Sequence, residues 1–207
     1  MFLNYKKMNI NFTQKELKVI NQLDNPKKVR EFLLKEVVYD FNKRKETNRS
    51  FRRVLRDRKA HCLEGTLFTA AVLMQHGYTP LMISIEARDI DHNIFAYKED
   101  GKFGSVAISR DENLRGRETK FRTIKDLVMS YYPYYWNYWT KDHEDLTLRG
   151  YAKVNLGIFK QDWITNEEDL DFIEDYLWEM KYRRLFPKND DDLFYICNRD
   201  GKIKNVK

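Results

Sequence analysis

The chain has 207 residues, of which 42% are hydrophobic and 14% aromatic, enough apolar material for one buried core and too much for a disordered chain despite 34% charged residues. Its 8 glycines and 4 prolines fall well below the usual share of turn formers, which argues against a collagen-like, linker-rich or many-stranded sandwich chain and predicts that helix dominates. The net charge of +6 is concentrated, because residues 43–59 hold nine Lys or Arg against only Glu46 and Asp57. A run of this kind either binds phosphates and nucleic acid or forms a solvated face, and the second is the commoner case.

Thr13-Gln14-Lys15-Glu16 matches a capping box, with Leu17, Ile20 and Leu23 on one face, and predicts a first helix over 14–24. Asn25-Pro26 opens a second, in which Val29, Leu33, Val37 and Phe41 recur every four residues to about 44. The basic segment follows as a loop or broken helix. From Cys62 to Met74 the residues are small or apolar around the whole circumference, the mark of a buried helix, stopped by Gly77 and Pro80. Short β-favouring runs come next at 81–85, 93–97 and 103–108, the last two joined by an Asp100-Gly101 hairpin turn. Residues 122–129 read as an amphipathic helix that leads into the aromatic tract at 131–139. Thr165-Asn166-Glu167-Glu168 matches a second capping box, with Leu170, Ile173, Leu177 and Met180 as the stripe of its helix. A final strand spans 193–197 and turns at Arg199-Asp200-Gly201.

The N-terminus has no apolar run behind it, and no stretch approaches the ~18 apolar residues of a spanning helix. These features predict a cytoplasmic protein with reduced thiols and no membrane association. Cys62 and Cys197 are too few for a disulfide framework or a four-thiolate zinc site. There is no HExxH, no paired CxxC and no phosphate-binding glycine loop, so neither a metal nor a cofactor is expected.

Cys62 sits where the buried helix begins. Unpaired amides and the positive end of the helix dipole favour a thiolate there, and the Cys62 amide is a natural oxyanion donor. Most lone cysteines are small buried hydrophobes, which is the competing reading. His92, at the start of a strand, changes that balance, because an imidazole facing a helix-start thiol can take its proton and return it to a leaving amine. His61 adjoins Cys62 in the chain and is expected either to support the site from behind or to be structural, and Glu64 to be a solvated carboxylate of the first helical turn. The aromatic tract has three readings: core packing, which is favoured, the wall of a substrate cleft, or a stacking platform for single-stranded nucleic acid.

The stretches RKAHCLEGTLFTAAVLMQHGYTPLMISIE and DHNIFAYKEDGKFGSVAIS resemble the core of the transglutaminase-like superfamily, in particular a group of bacterial proteins with an HCLEG motif. The resemblance covers about 50–130. It implies an α+β, papain-like fold in which a helix bearing Cys62 packs on a small antiparallel sheet bearing His92, with a third, carboxylate member on the following strand. Here the chain departs from the pattern, since Ala107 stands where that carboxylate is expected. Alternation along the strand puts Ser109 on the same face, and Ser109 becomes the candidate to orient His92. The expected organisation is one domain over 1–207, with a core at about 50–130, N-terminal helices at 12–45 and a C-terminal extension at 140–207. The expected activity is cleavage or transfer at an amide bond through a thioester on Cys62, with a peptide or small amide as substrate. The alternatives are a catalytically lapsed module that binds a peptide or protein partner, and, less favoured, a nucleic-acid-binding protein using 43–59.

Overall fold

The computed structural model describes residues 10–41 and 47–186, together with the backbone of 194–197 and 203–206. Thr13 caps the first helix, α1 (Gln14–Gln22), its hydroxyl accepting from the Glu16 amide while the Glu16 carboxylate accepts from the Thr13 amide. Asn25 and Pro26 open α2 (Pro26–Glu36) as expected, but this helix stops well short of 44. Its successors Val37, Val38 and Tyr39 are β-favouring and turn extended, and β1 (Val38–Tyr39) pairs in parallel with β2 (Lys59–Ala60) just before the Cys62 helix. Between them the basic segment forms α3 (Phe51–Asp57), capped by Ser50.

The buried helix α4 (Cys62–Met74) has the predicted bounds and lies at the centre of the fold. After it, β3 (Leu81–Ala87), β4 (His92–Glu99) and β5 (Lys102–Val106) form an antiparallel meander, whose Asp100-Gly101 turn takes both residues to positive φ. Thr123 and Asp126 form a capping box on α5 (Ile124–Met129). The strand β6 (Leu148–Asn155) then pairs along the whole of β3, and the short β7 (Arg183–Arg184) pairs with β6. The sheet order is β5-β4-β3-β6-β7. Before β7 comes α6 (Asp171–Glu179), and beyond it the antiparallel hairpin of β8 (Phe194–Cys197) and β9 (Ile203–Val206). The expected turn at Arg199–Gly201 and the side chain of Cys197 lie outside the described residues.

The sheet separates two apolar clusters. On one face α4 packs with α1, α2, α3 and α6 against Met82, Phe95, Val106 and Val154. On the other, Ile83, Ile85, Ile94 and Ala96 meet Leu127, Val128, Tyr131 and Tyr135. Burying every side of α4 explains why its sequence shows no polar face. The architecture is α+β with a transglutaminase-like core.

Two expectations about the C-terminal part need correction. Residues 165–168 do not open a helix, because Thr165 gives its hydroxyl and its amide to Asp162 in a turn of its own. The helix begins at Asp171, although Leu170, Ile173 and Leu177 are buried as the stripe predicts. The central strand β6 was not anticipated; Arg149, Lys153 and Gly150 interrupt its apolar pattern.

Among the described residues of the basic run, four arginines are engaged in ion pairs. Arg52 binds Glu16, Arg53 binds Asp169, Arg56 binds Asp57 and Glu167, and Arg49 binds Asp40, Asp57 and Glu64. Instead of a cationic surface, these arginines join α3 to the N- and C-terminal segments. Residues 43–46 lie outside the description. Among the described residues no helix is long and apolar enough to cross a membrane.

Candidate active site

The HCLEG motif, residues 61–65, forms the start of α4, and each position has a separate task. The carbonyl of His61 accepts the first intrahelical bond, from Gly65 at 2.9 Å, leaving the Cys62 amide free of an intrahelical partner. Leu63 is buried in the core. Glu64 is fully buried, not solvated as the sequence suggests. Its carboxylate turns back over the helix start and accepts from the His61 amide (3.0 Å), the Thr47 hydroxyl (2.8 Å), the Arg49 amide (2.7 Å) and the Arg49 guanidinium (3.1 Å). A buried charge persists only with such complete pairing. Gly65 lets the helix approach the chain beyond β5 so closely that a Cβ there would lie 2.7 Å from Ile108 Cγ1.

Cys62 is free and half-buried. Burial opposes ionisation of its thiol, but hydrogen bonds to His61 and His92, and the positive charge either ring carries when protonated, outweigh burial and take the pKa well below the usual thiol value. The sulfur and the His92 ring, far apart in the chain, therefore meet. They do so at the end of the sheet, where the β4–β5 ladder stops at Phe95↔Val106 and leaves His92 without a β5 neighbour. One turn into α4, the Thr66 hydroxyl donates to the Asn93 carbonyl at 2.9 Å, fastening the helix to the strand beside the histidine.

The third member differs from expectation. The Ser109 hydroxyl is engaged elsewhere, accepting from the Asp111 amide (3.2 Å) in the turn that carries the chain out of the sheet, and another group meets His92 Nε2. Alternation along β5 fails as a guide here since the strand ends at Val106. Ala107 is buried among apolar residues on the second face. Instead, the turn leads through a single 3-10 coil, Glu112–Leu114, and returns so that the Leu114 carbonyl accepts from His92 Nε2 at 2.8 Å. The returning chain then runs beside β5, with Arg117 and Ser105 exchanging amide–carbonyl bonds of 3.0 and 2.9 Å. Gly116 makes this possible, since a Cβ at that position would lie 2.4 Å from the Ser105 carbonyl oxygen. A main-chain acceptor leaves no side-chain signature, so no motif search finds it.

A carbonyl accepts and never donates, so Nε2 of His92 carries hydrogen and Nδ1 is left to the sulfur. The ring is buried and stands edge-on to Tyr131 at 6.1 Å.

His61 lies at the site too. Its ring contacts the Cys62 sulfur as well, while Nε2 lies 2.5 Å from the Thr47 carbonyl and 3.6 Å from Glu64 Oε1. Burial works against a charge on this ring, yet Cys62, Glu64 and Thr47 together raise its pKa to about 9. The Tyr39 hydroxyl faces the Cys62 amide, and burial followed by the Cys62 charge raises its pKa. From the exposed turn before β4, Asp91 also faces the sulfur, and desolvation and the Cys62 charge lift its carboxyl to about 6.

The aromatic tract divides. Tyr131 and Tyr135 are core residues, whereas Tyr138 lies partly exposed near Phe41, with the Arg110 guanidinium 3.8 Å above the Phe41 ring. Among the described residues no group of three His, Cys, Asp or Glu side chains is arranged to hold a metal ion.

No curated protein matches the chain. A family model described as a transglutaminase-like domain matches residues 6–103, which takes in the N-terminal helices, Cys62 and His92, and ends before Ala107 and Leu114. Over that span, a little under half of the chain, the sequence is similar to the transglutaminase-like superfamily.

Proposed function

We propose that the protein is a cysteine-dependent enzyme that cleaves or transfers an amide through a thioester on Cys62. The observation that carries this reading is a cysteine at a helix N-terminus whose thiol pKa the neighbouring His61 and His92 lower, the far nitrogen of His92 being held by the Leu114 carbonyl. In the reaction, His92 Nδ1 takes the thiol proton and the sulfur attacks the amide carbon. The carbonyl electron pair moves onto oxygen, and the Cys62 amide, which faces the Tyr39 hydroxyl in the resting protein, turns its hydrogen to that oxygen. Collapse of this intermediate breaks the carbon–nitrogen bond, and the amine leaves with the proton from His92. Water or an acceptor amine, deprotonated by His92, then releases the acyl group and restores the thiol.

The Leu114 carbonyl also supports an active enzyme over a lapsed binding module. An orienting partner that selects the wrong tautomer can cost about four orders of magnitude in rate, but a carbonyl enforces the same tautomer that a carboxylate would. What it lacks is a full negative charge to stabilise the imidazolium. The substrate is a peptide or small amide.

The test is to mix the full-length protein with a panel of glutamine-containing peptides and small amides, quench in acid and map adducts by mass. A hydroxylamine-labile acyl group on Cys62, absent in Cys62→Ala and accumulating in His92→Ala less than in the native protein, is the expected result. Release of amine or ammonia with no dependence on Cys62 would reject the reading.

A further inference from the structure

We propose that Cys62 is served by two imidazoles with separate duties: His61 is a standing cation that keeps the sulfur ionised, and His92 alone carries the proton to and from the substrate. This rests on the reading of Cys62 as a nucleophile and adds a positioning residue to it.

The two rings have different surroundings. Nε2 of His61 faces the Thr47 carbonyl at 2.5 Å and must carry hydrogen, since a carbonyl has none to give. Glu64 Oε1, fully buried, lies 3.6 Å from the same nitrogen and favours a second proton on the ring, at the nitrogen left for Cys62. Nε2 of His92 also faces a carbonyl, that of Leu114, and among the described residues no carboxylate is paired with that nitrogen as Glu64 is with His61.

The charges around His61 act in the same direction. Asp40, Asp57 and Glu64 converge on the single Arg49 guanidinium, and Asp57 also meets Arg56. A protonated His61 adds a further cation beside Glu64. Asp91, from the turn before β4, faces the sulfur and both rings and so does not distinguish them. The Cys62 thiolate is the remaining partner, and the raised pKa of His61, about 9, agrees with this assignment.

Through the catalytic cycle His61 keeps its proton, and no bond to it forms or breaks. His92 starts protonated beside the thiolate, gives its proton to the leaving amine, and takes one back from the incoming water or amine. The motif then acquires a function for its first letter: the His61 ring stands between the Glu64 carboxylate and the sulfur, and its charge answers both.

The test is the pH dependence of iodoacetamide alkylation at Cys62, followed by mass on the full chain. In His61→Gln the side-chain amide can still reach the Thr47 carbonyl but carries no charge. Its alkylation midpoint is expected to rise by a pH unit or more, with about tenfold slower labelling on the acid side of the profile. In His92→Ala the midpoint is expected to stay below that of a free thiol, at ~8.5, while amide turnover is lost. An unchanged midpoint in His61→Gln, or a fully ordinary thiol in His92→Ala, overturns the division of labour while leaving the nucleophile in place. An ordinary midpoint in the native protein instead rejects the nucleophile itself. Ring titration of the native protein by carbon-13 NMR is a check independent of any variant's folding: His61 is expected to hold its charge to about pH 9, and titration near 6.5 overturns the proposal.

Discussion

Thr66 and Asn93 are joined by a 2.9 Å hydrogen bond from a side-chain hydroxyl to a main-chain carbonyl, and both residues are buried. The first lies one turn beyond Cys62 and the second adjoins His92, so this bond sets the separation of sulfur and imidazole from outside the reacting groups. Thr66→Val keeps the shape of the side chain and orphans the carbonyl. We expect a stability loss of about 1–3 kcal/mol and a fall in kcat larger than any change in KM. Urea unfolding and steady-state kinetics measure the two. Normal kcat in a destabilised variant would show that the bond serves the fold alone.

Gly116 has a similar but more local role. Adding a Cβ 2.4 Å from the Ser105 carbonyl forces the returning chain away from β5, and the Leu114 carbonyl moves with it. Gly116→Ala is therefore expected to free the His92 tautomer and lower turnover by at least about tenfold, with wild-type activity counting against the Leu114 assignment. Ser109→Ala, by contrast, removes only a turn contact to Asp111 and is expected to retain turnover within about threefold.

Glu64 is surrounded by donors, namely the Thr47 hydroxyl, the Arg49 amide and guanidinium, and the His61 amide. In Glu64→Gln the new NH2 group has to face one of them. The expected loss is about 3 kcal/mol, read as a lower urea midpoint at unchanged m-value. A variant as stable as the native protein would mean that the carboxylate is not the centre of this network.

The His61 shift also predicts how stability depends on pH. Its folded pKa, about 9, lies above the ordinary 6.5, so its protonated ring contributes stability fully below 6.5 and loses that contribution as pH rises through 9. The stability difference between the native protein and His61→Gln should therefore narrow between about pH 6 and pH 10. A constant difference across that range contradicts a charged His61.

Much of this arrangement is legible in the amino-acid order. Cys62 at the head of an apolar helix with Gly77 beyond its end, and His92 at the start of a β-favouring run, identify the helix, the strand and the pair. What escapes is whatever depends on main-chain atoms or on burial. The Leu114 carbonyl has no residue type to betray it, and Ser109 was favoured only because strand alternation was carried past Val106, where the strand ends. Glu64 looks like an ordinary first-turn carboxylate until Thr47 and Arg49, from the preceding segment, are folded over it. Chain neighbours rarely point at the same spot, so the sequence alone does not bring His61 to the sulfur, whereas the cap position turns it there.

The most direct measurement is the iodoacetamide labelling rate of Cys62 at about pH 6 in the folded protein, compared with the same chain unfolded in urea. Folding brings the helix start, His61 and His92 to the sulfur, so labelling in the folded state should be at least about tenfold faster despite partial burial. Equal or slower labelling in the folded protein would contradict an activated thiolate, and with it the enzyme.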